Sequence, residues 1–381
     1  MGKLSKNTWK LNAWYEETVA GKGSYSQDDT FWAWGDNEYG GLGLGAGHDS
    51  TSYSSPVQIP GATWNKLPNS CEVGNFMIAS KTDGTLWAWG EGGYGGLGQN
   101  GATPNYMSSP VQIPGTSWTG HLASSARHWF AIRTDGSMWA CGSNQMGELG
   151  VNDRTHRSSP IQIPGTWTDA TTGTNRSFGI KSNGTMYGWG FNQQGWLGDG
   201  SSTYRSSPSQ IPGTNWAKLA TSSTAMMAAI RTDGTLWAWG QGGGGLLQNT
   251  STPASSPKQI PGTNWASCST NYNGMWATKT DGTLWAWGPN DDGQLGQNEQ
   301  SPSGYSSPVQ IPGTNWSSIH AMLKGAFFKT TGGAVFSIGS GNLGQRGDST
   351  VIKVSSPVAL GGAAWSAIAG GRNSAYGIRD W

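Results

Sequence analysis

The chain reads as an all-β protein, a seven-bladed β-propeller of four-stranded antiparallel blades, on three observations. The phrase DGTLWAWG stands verbatim at 83–90, 233–240 and 281–288, with variants DDTFWAWG (28–35), DGSMWACG (135–142), NGTMYGWG (183–190) and GGAVFSIG (332–339). A second phrase keeps the same beat: SSPVQIPG at 54–61, 108–115 and 306–313, then SSPIQIPG (158–165), SSPSQIPG (206–213), SSPKQIPG (255–262) and SSPVALGG (355–362). The closing glycines of the first phrase, Gly35, Gly90, Gly142, Gly190, Gly240, Gly288 and Gly339, lie 48 to 55 residues apart. That period is too long for helical hairpin arrays and suits a propeller blade.

Each unit opens on a tryptophan (Trp64, Trp118, Trp167, Trp216, Trp265, Trp316, Trp365) that heads a short apolar strand. A second strand ends in Thr-Asp-Gly, where Asp-Gly is expected to supply the positive backbone angles of a two-residue hairpin turn. The Trp-Gly strand follows. In it Leu86 and Ala88 take one face while Trp87 and Trp89 take the other, the period-2 pattern of a strand. A Gly-rich turn, a variable loop and Ser-Ser-Pro lead to the outer strand, which Ile-Pro-Gly ends because proline cannot donate to a ladder. No segment combines a helical apolar period with caps, so almost no helix is expected.

The termini are expected to close the ring. The segment WSAIAGGRNSAYGIRD (365–380) repeats the opening strands of a unit and stops at the turn, while Asp28-Asp29-Thr30-Phe31-Trp32 begins where that turn ends. Pairing of the two removes a sheet edge. Residues 1–27 are then an N-terminal arm outside a propeller of residues 28–381.

Composition narrows the function. Net charge is +1 and charged residues are 12%, without the basic stripe a duplex binder needs, so no nucleic-acid partner is expected. No apolar leader or span stands out, so membrane insertion is not expected either. Cys71, Cys141 and Cys268 lack metal-ligand spacing and are read as reduced, buried thiols. Of the 23 tryptophans, eighteen fall on repeat positions and read as packing; Trp14, Trp129, Trp196, Trp276 and Trp381 do not. The histidines His48, His121, His128, His156 and His320 fall in different repeats, so no metal site and no cofactor is expected. Asp291-Asp292-Gly293 reads as a solvated turn in preference to a calcium loop. The repeated Ser-Ser is read as hydroxyls bonding the local backbone.

The order strand, Asp-Gly, aromatic, Trp-Gly, then Gly-x-Leu-Gly resembles the repeat of the regulator of chromosome condensation family. Trp287-Gly288-Pro289-Asn290-Asp291-Asp292-Gly293-Gln294-Leu295-Gly296 carries it most clearly, with GSNQMGELG (142–150) and GFNQQGWLG (190–198) close behind. The resemblance covers about 28–381 and implies a seven-bladed propeller of four-stranded blades. It also implies a repertoire of protein binding. The family's nucleotide exchange on a small GTPase is not expected here, because the loops before Ser-Ser-Pro are short. The Gly-Trp-Arg-His-Thr motif of the family's photoreceptor is absent, Arg127-His128-Trp129 being the nearest approach. The compact, near-identical copies look most like propellers of bacteria and their viruses.

Variation concentrates just before Ser-Ser-Pro, which places Tyr53, Tyr106, Met107, Arg157, Tyr204, Arg205 and Tyr305 on one rim as candidate partner residues. The expected function is a non-enzymatic binding or structural module with protein partners, in the setting of a bacteriophage virion or host-attachment apparatus. The alternative is a glycan-binding or glycan-active enzyme using the central funnel. Its hydrolytic form needs two carboxylates within about 5–10 Å, for which Glu72, Glu148 and Glu299 are the candidates.

Overall fold

The computed structural model describes residues 30–45, 51–69, 76–100, 106–118, 120–220, 226–241, 252–271, 274–299, 304–362 and 364–379. The proposed arm, residues 1–27, lies outside them. Among the described residues the regular structure is strand, joined by turns and loops, with helix confined to the three-residue 3₁₀ turns Glu38–Gly40 and Gly93–Gly95.

One repeat shows the plan. Trp265–Thr270, Met275–Lys279, Leu284–Gly288 and Tyr305–Ile311 form an antiparallel sheet in that order, the Trp-strand at one edge and the Ser-Ser-Pro strand at the other. The described strands build five such four-stranded sheets and one of seven strands. The larger sheet arises where Arg157–Gly173 runs on without a break. Its first part pairs with Ser137–Gly142 and its second with Arg176–Lys181, so a single strand serves as the outer strand of one repeat and the opening strand of the next.

Both ends of the chain meet in one sheet. Thr30–Asp36 pairs with Ser374–Arg379, in register from Thr30 opposite Arg379 to Gly35 opposite Ser374, and Ser52–Gln58 and Trp365–Gly370 flank them. The terminal pairing is the one the sequence implies, with residues 28–29 outside the described set.

The Asp-Gly turn differs from expectation. The connection is three residues, Thr82-Asp83-Gly84: Gly84 N–H donates to Lys81 O at 3.0 Å, Lys81 N–H donates to Thr85 O at 2.9 Å, and Gly84 alone has a positive φ, +79°. This is the type I turn with a left-handed glycine that closes three-residue hairpins. Asp83 is not there for its backbone. Its Oδ1 accepts from Thr85 N–H (2.9 Å) and Oγ1–H (2.7 Å), and Thr85 Oγ1 in turn accepts from the Trp87 indole at 2.8 Å. These hydrogen bonds hold the Asp83 carboxyl below its ordinary value.

The core lies between neighbouring sheets. Phe31, Trp64, Trp89 and Tyr376 fill one boundary, Trp34, Phe327 and Trp365 the one before it, and Phe130, Trp167 and Trp189 another. Two sets of bonds lock these boundaries. The second tryptophan of the Trp-Ala-Trp strand donates its indole N–H to the loop of the preceding sheet: Trp34 to Gln345 O (2.9 Å), Trp89 to Gly41 O (2.9 Å) and Trp189 to Glu148 O (2.8 Å). Where the repeat has Cys141 or Ile338 instead, an off-pattern tryptophan reaches the equivalent carbonyl, Trp129 to Gly96 O at 2.7 Å and Trp276 to Gln294 O at 3.1 Å. Trp129 and Trp276, two of the five non-repeat tryptophans, are thus replacements for missing repeat ones.

The second lock explains Ser-Ser-Pro, which does not serve its own backbone as expected. The first serine's carbonyl accepts from a backbone N–H of the preceding repeat's loop, Asn100 to Ser158 O, Asn152 to Ser206 O and Asn298 to Ser355 O, each at 2.7 Å. The second serine's hydroxyl bonds the same loop residue's side chain, as in Ser159 to Asn100 Oδ1 at 2.9 Å and Ser207 to Asn152 Oδ1 at 3.0 Å. The turn glycine facing this serine cannot carry a side chain. A Cβ on Gly95 would stand 2.7 Å from Ser158 Cα, and one on Gly147 2.6 Å from Ser206 Cα, so turn and strand are in backbone contact. Ser349 and Ser55 (3.0 Å) make the same clasp between the last loop and the first repeat.

Candidate binding rim and axial cavity

The loops that follow the Trp-Gly strands share one rim, because each outer strand begins opposite a closing glycine. Tyr53 pairs with Gly35, Met107 with Gly90, Arg157 with Gly142, Arg205 with Gly190 and Tyr305 with Gly288. Most of these side chains turn inward to partners of their own loop. Arg157 pairs with Asp153, Arg205 with Asp199 at 2.9 Å, and Tyr305 donates to Glu299, which raises its phenol above the ordinary value. Tyr204 packs against Phe191, ring centroids 4.9 Å apart and tilted by 46°, while Tyr53 and Met107 lean on the core.

Exposure selects a different set on the same rim. The exposed large apolar side chains among the described residues are Tyr39 (41%), Tyr94 (44%), Tyr106 (37%), Leu343 (36%), Val351 (57%) and Ile352 (62%). All six belong to three successive sheets, since Trp34 bonds the loop of Leu343 and Trp89 bonds the loop of Tyr39. Tyr39 and Tyr94 occupy equivalent turn positions at φ 56° and 61°, where a side chain costs about 1–2 kcal/mol. Strain of this kind points toward a use. Only Tyr106 was legible beforehand. The signal for the other tyrosines was their place immediately before Gly-x-Leu-Gly, three residues ahead of its leucine, a turn position that Met146 and Gln194 fill elsewhere.

The opening strands form the inner edges of the sheets and lie beside one another across sheet boundaries, so they line the axis. Between them is a cavity of about 380 Å³ bounded by Asn69, His121, Asp169, Lys218, Ser318 and His320, among others. His121 Nε2 stands 2.8 Å from Asp169 Oδ1 and 2.7 Å from the Asn69 side-chain amide, and Asp169 Oδ2 accepts from Leu219 N–H at 2.9 Å. Burial pushes the His320 imidazole down to about 4 and the Cys268 thiol, also in the wall, up to about 12.

The carboxylates considered for a hydrolase do not meet in this cavity. Glu148 is buried under the rim, accepting from Ser143 Oγ (2.6 Å) and Met146 N–H (2.7 Å), Glu299 sits in a rim loop, and Glu72 lies outside the described residues. Asp169 is the carboxylate of the wall. His128 is sealed between Ser125 Oγ (2.9 Å) and Ser177 Oγ (3.0 Å), and burial pushes it down to about 4. Asp292 is 2.5 Å from Lys353 Nζ and 3.8 Å from Lys324 Nζ. Cys141 and Cys268 are free and buried, while Cys71 lies outside the described residues.

Residues 83–132, 135–180, 183–228 and 281–321 match the Regulator of chromosome condensation (RCC1) repeat. The chain is thus an all-β propeller, with four stretches, somewhat under half of its residues, that match this repeat. Among curated proteins it is similar to the Ultraviolet-B receptor UVR8 of Arabidopsis thaliana, 25% identical over 138 residues, 36% of this chain and 31% of the relative. It is also similar to the E3 ubiquitin-protein ligase HERC2 of Homo sapiens, 29% identical over 127 residues, 33% of this chain and 2% of the relative. The matches thus span under a third of either relative. Among solved structures it shares its fold with human WBSCR16 (TM-score 0.82, 18% identity, 92% of this chain and 99% of that one). It shares it equally with Prp20p of Saccharomyces cerevisiae (TM-score 0.81, 17% identity, 93% and 92%), whose binding properties to Gsp1p and histones accompany its structure.

Proposed function

We propose that the chain is a seven-bladed, ring-closed binding propeller without enzymatic activity, and that its partner is a protein seated on the rim. One observation carries this reading: among the described residues, the six exposed large apolar side chains all lie on one rim, in the loops of three successive sheets. Aromatic and aliphatic anchors concentrated in one patch suit a protein partner. Protein binding by Prp20p, as its description records, is the precedent on the same fold. Support for a ring of seven comes from reading the long strand Arg157–Gly173 as the junction of two blades. A role without catalysis is supported by the separation of Glu148, Glu299 and Asp169 and by thiols held far from ionisation.

The proposal extends to the setting of a bacteriophage particle or its attachment apparatus, with the virion as location, on the strength of the compact and near-identical repeats. Two experiments test the parts separately. Tyr39→Ser, Tyr94→Ser and Tyr106→Ser combined should abolish co-purification of the native partner while the Tm stays within a few degrees. Retention of the partner by the triple variant would refute the rim. Immunogold labelling of intact particles that leaves them bare would remove the viral setting and leave the rim standing.

A further inference from the structure

The axial cavity is lined by other residues than the rim and has a chemistry of its own. Its carboxylate is already satisfied: Asp169 takes His121 on one oxygen and the Leu219 N–H on the other. Its cation is not matched in the same way. Lys218 Nζ donates one hydrogen to Ala266 O at 2.7 Å and has no carboxylate within 4 Å among the described residues. An ammonium has three donors, so two remain.

The rest of the wall adds donors without adding negative charge. His320 stays neutral at physiological pH, which leaves it one N–H and one acceptor nitrogen. Ser318 offers a hydroxyl, and Cys268 remains a thiol. A concave site of about 380 Å³ that combines an ammonium with donors to spare, further N–H and O–H donors and a carboxylate whose two oxygens already have partners favours a negatively charged group on the ammonium. Cations meet Lys218, and neutral apolar ligands would bury its unmatched donors.

We propose that the axial cavity binds a small organic anion bearing a carboxylate or phosphate group, with that group on Lys218 and its polar remainder between His121 and His320. The wall comes from several sheets, so the anion ties inner strands together that are otherwise joined by a few polar bonds. Lys218 is the principal binding residue. Asp169 opposes the ligand's charge while holding His121 in place.

Calorimetric titration of the whole chain with citrate and with inorganic phosphate, at low ionic strength and with chloride as control, tests this. Saturable binding of one of the two identifies the source of the charge, carboxylate or phosphate. Lys218→Met should weaken it at least tenfold, and Asp169→Asn should strengthen it several-fold, whereas Lys258→Met on the outer strand should change nothing. Opposite signs for two neighbouring variants cannot come from a general loss of folding, and thermal unfolding of each variant checks that directly. Binding that neither variant alters, binding no tighter than chloride, or no heat with either anion overturns the proposal.

Discussion

Substitution of Trp34 probes the seam where the last repeat meets the first. The side chain is fully buried, its ring sits 5.9 Å from Phe327 at 87° and 5.5 Å from Trp365 at 55°, and its indole donates to Gln345 O across 311 residues of sequence. Removing such a side chain as Trp34→Ala forfeits its transfer free energy and leaves a cavity, about 3–5 kcal/mol together. Trp34→Phe keeps a ring for Phe327 and Trp365 but strands a buried carbonyl, about 1–3 kcal/mol. Urea denaturation followed by tryptophan fluorescence and by circular dichroism gives both values. The two probes should coincide for the wild type and separate for Trp34→Ala, because an opened seam lets the terminal sheet unfold first. A cost under about 1 kcal/mol for Trp34→Ala, with coincident probes, would falsify the view that this seam holds the ring closed.

Other expectations follow from single contacts. Arg346 occupies the slot that Leu42, Leu97, Leu149, Leu197 and Leu295 fill elsewhere; it is fully buried, pairs with Asp348 at 2.6 Å, and its Nε lies where a Cβ on Gly341 would come within 2.7 Å. Arg346→Ala should cost about 3–5 kcal/mol by leaving a buried carboxylate behind, and Gly341→Asn with Arg346→Leu, which restores the pattern of the other repeats, should recover most of that in chemical denaturation. Tyr39→Gly relieves a left-handed tyrosine, so its stability should match or exceed wild type by up to about 1 kcal/mol while rim binding falls; a clear loss of stability would mean Tyr39 is structural. His128 is neutral when folded, with its value pushed down to about 4 from 6.5. The unfolded chain alone takes up that proton, so this stability is complete above pH 6.5 and drains away as pH falls through 4, by about 3 kcal/mol in all. His128→Gln should flatten the slope in that window, and an unchanged slope would show that other groups set it.

The fold was legible because the repeat shows its own period, and the pairing of Thr30–Asp36 with Ser374–Arg379 followed from two fragments that complete one unit. What escaped were contacts between units. Ser-Ser looks local in one dimension, and only the packed structure shows that its partners, Asn100, Asn152 and Asn298, stand in the loop of the preceding repeat. The tryptophans Trp129 and Trp276 looked surplus because the carbonyls they satisfy are reached from a neighbouring strand. At the rim, variability pointed to the right loops but could not separate Arg157, Arg205 and Tyr305, which serve their own loops' carboxylates, from Tyr39 and Tyr94, which are exposed, Tyr94 with its ring also against His156 and Arg127. The axial cavity was invisible because its wall takes one to three residues from each of several repeats, at positions where the copies differ.

Photo-crosslinking in the native host measures the central claim most directly. A benzophenone side chain placed at position 39, 94 or 351, in the three successive loops, should yield the same partner adduct from each site, while one at position 314, among the turns of the opposite rim, should yield none. An adduct from position 314 and none from the other three would contradict the assignment of the binding surface.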